Sequence, residues 1–501
     1  MDGHWDAICV GAGITSLAFG AQVVRRHPGA RILVIDKHAV PGGYATVFQR
    51  PKAEATFDCS LHKLSGMGEG GNLRRIFADL GLADELRLKI PDDYFEAVLP
   101  DGSIRCGNGV EAFRAALCAR FPHERVGLDR FFEEVAIHGR NGYYQFQMMD
   151  GSFEPDFAQL RYAHRHLKHL TVAQALAERV GNPWLREILA ATGIYVGGFP
   201  EDLGYLYFLH VVYATLTKGN AYVEGASQRL SDVLADRIVA AGGQLLLGTT
   251  VRRILSDDNG RVRGVATAKG EFYADRVYLN AAPHYALRTL FDDQPGLAPV
   301  RRKLERLTPS RSTTTVYLTT DVAPAELGLA STETMIVACG ADASLAARAG
   351  AVDEDTCEQA YWHDGVMEVT NYHALDPAGG RIVCLNVLDT IAHWPERRSV
   401  AYKFKKVRAR EALLERLYAA KPELRGHVVT TEVATPRTYE RFTNNTDGAG
   451  YGAMVGTDLS GHVFHHGFPI AGVHFLSAWV AGPSYEAAFG YAEMKAKQWA
   501  A

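Results

Sequence analysis

Residues 6–36 read DAICVGAGITSLAFGAQVVRRHPGARILVID, and this stretch decides the fold. Within residues 6–11 the apolar run AICV is short enough for a strand buried on both faces. Residues 14–26 read as a helix, and 31–36 (RILVID) repeat the strand pattern. Two buried strands around one helix form a βαβ unit, whose strands lie parallel. At its first turn, Gly11-Ala12-Gly13-Ile14-Thr15-Ser16 has the spacing GxGxxS, followed by Gly20. Gly11 permits the tight turn and Gly13 lets a ligand approach the backbone. Ser16, in place of a third glycine, is small enough for close helix–strand packing. The helix N-terminus adds unpaired N–H groups and a partial positive charge, which suits a pyrophosphate.

Asp36 closes the second strand, 25 residues after Gly11. A carboxylate there accepts hydrogen bonds from ribose hydroxyls and repels a 2′-phosphate, which disfavours NADP. Pro41-Gly42-Gly43 follows at once. A second glycine pair so placed favours FAD over NAD, because FAD carries its isoalloxazine beyond the first βαβ unit. The competing readings are an ordinary turn at 41–43 and a tight strand–helix turn without ligand at 11–16.

Further along, residues 72–83 have helical spacing, and 94–106 read as a hairpin turning at Pro100-Asp101-Gly102. Residues 110–215 are mostly helical in pattern. From about 222 the texture returns to α/β: a helix at 227–241, stopped by Gly242-Gly243, then strands at 244–254, 262–268 and 272–280. Asp257-Asp258-Asn259-Gly260 marks a hairpin turn. Strands are expected at 312–321, 380–387 and 472–479, and helices at 400–420 and 484–499. No linker or repeat interrupts the chain, which favours domains made of discontinuous segments.

The 501 residues are 47% hydrophobic and 22% charged, as in a globular protein. A net charge of -4 implies no basic field for nucleic acid. The seven cysteines are scattered without a CxxC pair and read as a reduced, cytosolic set. The polar start, Met1 to Trp5, offers no signal peptide. No segment has about 20 uninterrupted apolar residues, so a spanning helix is not expected. The nearest, Gly204–Thr217 (GYLYFLHVVYATLT), suits a buried helix or a membrane-contacting one.

With these residues in place, the chain resembles the phytoene desaturase, carotenoid isomerase and retinol saturase group. The resemblance rests on GAGITSLAFG, on Asp36 with PGG, and on Phe57, Asp58, His62 and Gly66 in the pattern FD-x-x-x-H-x-x-x-G. It continues through residues 224–254, 434–452 and 472–490. The resemblance implies an α/β fold with a Rossmann-type FAD-binding domain, residues 1–90, 222–288 and 462–501. Residues 91–221 and 289–461 would then form a mixed substrate-binding domain with a helical portion. It implies non-covalent FAD contacted by Gly11, Gly13, Ile14, Thr15, Ser16, Asp36, Lys37, Gly42, Gly43 and Tyr44. Val251 would meet the adenine, and Ala481 and Gly482 the flavin ring or the pyrophosphate. Two departures stand out. Tyr44 follows the glycine pair where many amine oxidases and bacterial phytoene desaturases have arginine. Ser60 replaces the glycine of the retinol saturase branch's FD-x-G-x-H pattern.

The expected chemistry is an FAD-dependent desaturation or saturation of C–C or C=C bonds in a hydrophobic, polyene- or isoprenoid-like substrate. The alternatives are a redox-neutral double-bond isomerase, a flavin amine oxidase, and a non-enzymatic prenyl-lipid carrier on the same fold. His62 is the first acid–base candidate, since an imidazole titrates near neutrality. Tyr44 and Tyr451 are further catalytic candidates, and the competing reading of all three is structural packing. Trp479 and Tyr485 read as cavity walls, and Glu486 as a cap of the last helix. The clusters His164/His166/His169 and His462/His465/His466 lack convincing ligand geometry, so no metal is expected. The basic run Lys403, Lys405, Lys406, Arg408 and Arg410 reads as a solvated face. Its alternative is attraction to an anionic membrane surface, which would make a cytoplasmic enzyme peripherally membrane-associated.

Overall fold

A computed structural model describes residues 4–50, 55–257, 259–291, 295–457 and 467–499. The opening stretch forms the strand Ala7–Val10, the helix Ile14–Arg26 and the strand Ile32–Ile35. Every residue of both strands is buried. They pair in parallel, with Ala7 opposite Ile32 and Val10 opposite Ile35. Three short strands complete a five-stranded parallel sheet in the order 244–246, 32–35, 7–10, 277–279, 473–475. The last helix, Tyr485–Lys497, packs on the first. Arg26 Nη2 lies 3.3 Å from Glu493 there, and Arg75 grips the same carboxylate at 2.6 Å.

A second, seven-stranded sheet runs in the order 428–434, 312–320, 382–389, 367–371, 333–336, 93–99, 102–107. Its pairs are antiparallel except for 333–336 beside 93–99. One row across it aligns Thr315, Asn386, Glu368 and Met335. The helices between Val110 and Val212 pack with this sheet into a second apolar core. Tyr205–Val212 and the wide turn that follows are buried there. No helix among the described residues is long and apolar enough to cross a membrane.

Three expected strands are divided. Residues 244–254 become Gln244–Leu246 and Val251–Ser256, in different sheets. The chain turns between them because Gly248 N donates to His38 O and Thr249 N to Asp36 O, both at 2.8 Å. Residues 272–280 are shared between Gly270–Ala274 and Val277–Leu279, again in two sheets. The expected strand 472–479 ends at Phe475, and Ala478–Ala481 is already helical. An apolar run reports burial, and it reads alike whether the chain stays in one sheet or crosses to another.

Candidate active site

The glycine turn at 11–13 meets the second glycine pair directly. Gly11 has φ +100°, and a Cβ there would lie 2.4 Å from Asn280 O. Gly42 N donates to Ala12 O at 2.7 Å, and a Cβ on Gly43 would come within 3.1 Å of Gly13 Cα. Two backbones this close leave no room for side chains. Asp36 ties the turn to the strand end: Oδ2 accepts from Ala12 N and Oδ1 from His38 N, both at 2.7 Å. Each oxygen keeps lone-pair capacity for a ribose hydroxyl. The first helix has no side-chain cap and no acidic residue in its first turn, so its leading N–H groups are available to an anion.

These residues surround a cavity of about 730 Å³. Gly11, Gly13, Ile14, Thr15, Asp36, Lys37, Gly42, Gly43, Tyr44 and Val251 all line it. Ser16 lies fully buried beneath. Ala481 and Gly482 are not among the lining residues, which at this end are Ser477, Ala478 and Trp479. The early helical turn is the reason, since it carries Ala481 into the core. A dinucleotide-sized cavity, a bare helix N-terminus and a carboxylate at the ribose position fit FAD.

Tyr44 does not present a free hydroxyl. Its OH donates to Ala449 O at 2.9 Å and accepts from Asn445 Nδ2 at 3.3 Å. Asn445 Oδ1 in turn accepts from Trp479 Nε1 at 3.1 Å. Burial pushes the Tyr44 phenol up. Tyr44 thereby pins the 445–449 loop across the cavity.

Asp58 explains the FD pattern. Its Oδ1 accepts from Ser60 N, Leu61 N and Ser227 Oγ, and its Oδ2 from Ser227 N, all within 3.0 Å. This carboxylate shapes the loop that delivers His62 and Lys63. Ser60 uses the hydroxyl a glycine would lack: Oγ donates to Tyr44 O at 2.8 Å and meets Tyr485 OH at 3.0 Å. His62 lines a second, smaller cavity of about 100 Å³, shared with Tyr195, Tyr451 and Tyr485. Tyr451 donates its backbone N–H to Ser310 Oγ at 3.0 Å, and burial pushes its phenol up.

Behind His62 stand two carboxylates that the sequence reading missed. His62 Nε2 is 3.6 Å from Glu368 Oε1. Glu333 forms an ion pair with Lys63 and accepts a hydrogen bond from Tyr195 OH. Glu333 and Glu368 are each 1% exposed, on neighbouring strands. The available clue was a glutamate inside each of two otherwise strand-like segments, ETMI and MEVTN. Either reads equally as a solvent-facing position until the pairing is known.

Residues 25–352 match the profile of the flavin containing amine oxidoreductases. The chain belongs to that family. It is 27% identical over 481 residues to prolycopene isomerase 1 of an Oncidium hybrid cultivar, covering 90% of this chain and 76% of that one. It is 24% identical over 479 residues to the all-trans-retinol 13,14-reductase of Rattus norvegicus, covering 89% and 77%. Cyclohexylamine oxidase from Brevibacterium oxydans IH-35A superimposes with a TM-score of 0.64 at 17% identity, covering 99% and 98%. An oxidoreductase from Methanosarcina mazei gives 0.62 at 15%, covering 98% and 99%. The fold is thus that of the flavin amine oxidases, and the protein is an FAD-dependent oxidoreductase.

In this flavin oxidoreductase other expected roles change. Ser484, not Glu486, caps the last helix: its Oγ accepts from Ala487 N at 3.2 Å. Glu486 turns inward, accepts from Ser65 Oγ at 2.8 Å, and is pushed up to about 7 by burial. The basic run is a solvated face except at Lys405, since Lys403 and Arg408 are exposed. Lys405 is 1% exposed and pairs with Glu358 at 2.9 Å, and Arg408 reaches Glu358 at 2.6 Å. Lys403 and Lys406 instead border the larger cavity. His164 Nε2 contacts Lys168 Nζ at 3.2 Å, which suits no metal ligand. His462, His465 and His466 lie outside the described residues.

Proposed function

We propose that this flavoenzyme desaturates or saturates a carbon–carbon bond in a hydrophobic, polyene- or isoprenoid-like substrate. The observation that carries this reading is the smaller cavity, walled by Ile76, Tyr195, Val196, Tyr207 and Val211 with His62 among them. These apolar side chains beside the His62 imidazole, with His210, Lys63 and Glu486 also in the lining, match a reaction that moves a hydride and a proton on carbon. The relatives named prolycopene isomerase and all-trans-retinol 13,14-reductase support the same substrate class. Bound FAD supplies hydride exchange at N5. Gly11, Gly13, Ile14, Thr15, Ser16, Asp36, Lys37, Gly42, Gly43 and Val251 would hold it. Tyr44 would cover the flavin edge, and Ala481 and Gly482 would support the turn beside it. His62 exchanges the proton, and Tyr451 positions the substrate chain. In this reading, segments 1–90, 222–288 and 462–501 bind the cofactor, and 91–221 and 289–461 enclose the substrate.

The test is turnover of conjugated polyenes by protein purified with its flavin. Formation of a saturated or desaturated product, with matching change in flavin absorbance, is expected. A colourless preparation would sink the reading. The likeness to prolycopene isomerase favours one second reading, a redox-neutral cis–trans isomerase. Anaerobic turnover sustained by catalytic reductant, without a stoichiometric acceptor, would select it.

Attachment to an anionic membrane belongs to the same proposal. Arg397, Lys403 and Arg441 border the larger cavity, beside the exposed Val400, Phe404 and Phe442. Cationic and apolar groups together suit a lipid interface. Sedimentation with phosphatidylserine vesicles, but not with neutral ones, is the expected result.

A further inference from the structure

The four ionisable residues behind the smaller cavity have little access to water, so their charges must balance among themselves. Lys63 Nζ donates to Tyr94 O at 2.6 Å and to Tyr195 OH at 3.0 Å, and pairs with Glu333. It also lies over the rings of Tyr94 and Tyr195, at 4.2 and 4.9 Å from their centroids. One cation and one carboxylate thereby answer each other. Glu368 remains. Its Oε2 accepts from Asn386 Nδ2 at 3.2 Å, and Asn386 Oδ1 is held by Thr315 Oγ1 at 3.0 Å. Its Oε1 has no hydrogen-bond partner and points to His62 Nε2 at 3.6 Å. A carboxylate this buried, left ionised with no proton on His62, would be an uncompensated charge.

We propose that His62 and Glu368 share a single proton and serve as the acid–base pair of the substrate cavity, with the Lys63–Glu333 ion pair fixing the charge around them. This rests on the carbon–carbon chemistry proposed above. His62 would be the catalytic residue, and Glu368 a positioning residue that acts through it. The pair is neutral whether the proton sits on imidazole or carboxyl, so moving it between them leaves the cluster's net charge unchanged.

From the neighbouring loop and strand, His62, Lys63 and Glu333 face Glu368. The phenols of Tyr94, Tyr195, Tyr372 and Tyr451 and the Cys384 thiol complete its surroundings. Burial pushes each of these five up, so they stay protonated and do not compete. Burial likewise raises Glu368, with His62 opposing and Glu333 reinforcing the shift. The same His62, Glu333 and Glu368 have ligand atoms within 4.8 Å of one another. Lys63 already supplies the cation at Glu333, which disfavours a metal ion there.

For saturation, bound reduced FAD would supply the hydride to one carbon of the double bond. The π electrons take a proton from the ring nitrogen of His62 opposite Nε2, while Nε2 takes the Glu368 proton. Nε2 then returns its proton to the carboxylate, while the other ring nitrogen of His62, which lines the cavity, takes one from solvent. In desaturation His62 and Glu368 would run the same proton transfers backwards, and bound oxidised FAD would supply the hydride acceptor.

The experiment compares flavin-loaded wild type with Glu368→Gln, Glu368→Asp and His62→Gln. Infrared difference spectra without substrate should show a protonated carboxyl band near neutral pH that disappears in Glu368→Gln and moves in His62→Gln. With a polyene, Glu368→Gln should keep its flavin spectrum and KM, lose roughly 100-fold in kcat, and lose the wild-type pH profile. Glu368→Asp should restore part of each effect. A wild-type rate and pH profile in Glu368→Gln would overturn the pair. So would micromolar binding of Zn²⁺ or Mn²⁺ that requires Glu368, since the cluster would then be a metal site. If wild type is inert on every polyene while the infrared band behaves as stated, the substrate reading fails and the pair stands.

Discussion

Glu486 shows how one buried carboxyl couples stability to pH. Its value rises from 4.5 unfolded to about 7 folded, because burial disfavours the charged form. The folded state therefore holds this proton over a window in which the unfolded chain has released it. The sign follows: stability from this group is complete below about pH 4.5 and lost as pH rises through about 7, a change of roughly 3 kcal/mol. Glu486→Gln removes the titration. Its melting temperature should gain on wild type between about pH 4.5 and pH 7 and level off above, and a parallel offset at all pH values would refute the assignment. Gly13 offers a second test at this scale. A Cβ there would lie 2.5 Å from Asn280 Oδ1, on the wall of the larger cavity. Gly13→Ala should weaken FAD at least tenfold, about 1.4 kcal/mol, by flavin fluorescence titration. Thermal stability of the flavin-free forms should change much less.

Among elements, the helical layer is held by a charge network that no local pattern announces. Arg179, at the end of the helix Val172–Arg179, pairs with Glu134 of the helix Arg125–Glu134 at 2.7 Å. Tyr205 OH donates to the same carboxylate at 2.6 Å. Both charged residues are buried, so removing one leaves the other only a weaker partner, Arg130 at 3.4 Å from Glu134 or Glu178 at 3.3 Å from Arg179. Arg179→Met should cost about 3–5 kcal/mol in chemical denaturation, and Arg179→Met with Glu134→Leu should recover much of it. Failure of the double change to recover stability would point to packing rather than stranded charge. The last helix supplies a milder test. Ser484→Ala removes the cap on Ala487 N and should cost about 1 kcal/mol, read as a lower denaturation midpoint.

At the scale of the whole molecule, the parallel sheet joins strands from both ends of the chain, since 473–475 pairs with 277–279. Removing residues 471–501 would unpair that edge and uncover the first helix, where the tilted rings of Phe19 and Trp499 pack with centroids 6.1 Å apart. Such a truncation should yield insoluble or flavin-free protein, checked by absorbance after purification. A soluble yellow product would show that the C-terminal strand and helix are dispensable to the cofactor site.

The division between what was readable and what was not follows the range of the interactions. Residues 6–36 determined their own βαβ unit, because strand, glycine turn and helix are dictated by neighbours in sequence. The hairpin at 94–106, the helix at 400–420 and the last helix were legible for the same reason. Residues 244–254 and 272–280 were not divided correctly, since crossing between sheets leaves the apolar pattern unaltered, and in 472–479 the apolar run continues unbroken from strand into helix. Lys405 looked like one lysine in a solvated run, and only the approach of Glu354 and Glu358 buries it. The acid–base candidate His62 stood out in sequence. Its partners Lys63, Glu333 and Glu368 did not, because three segments as far apart as 62–63, 333 and 368 meet only when the second sheet assembles. The glycines and Asp36 identify a nucleotide site by themselves. The charge balance around His62 is a property of tertiary structure alone, where burial makes every unpaired proton and carboxylate costly.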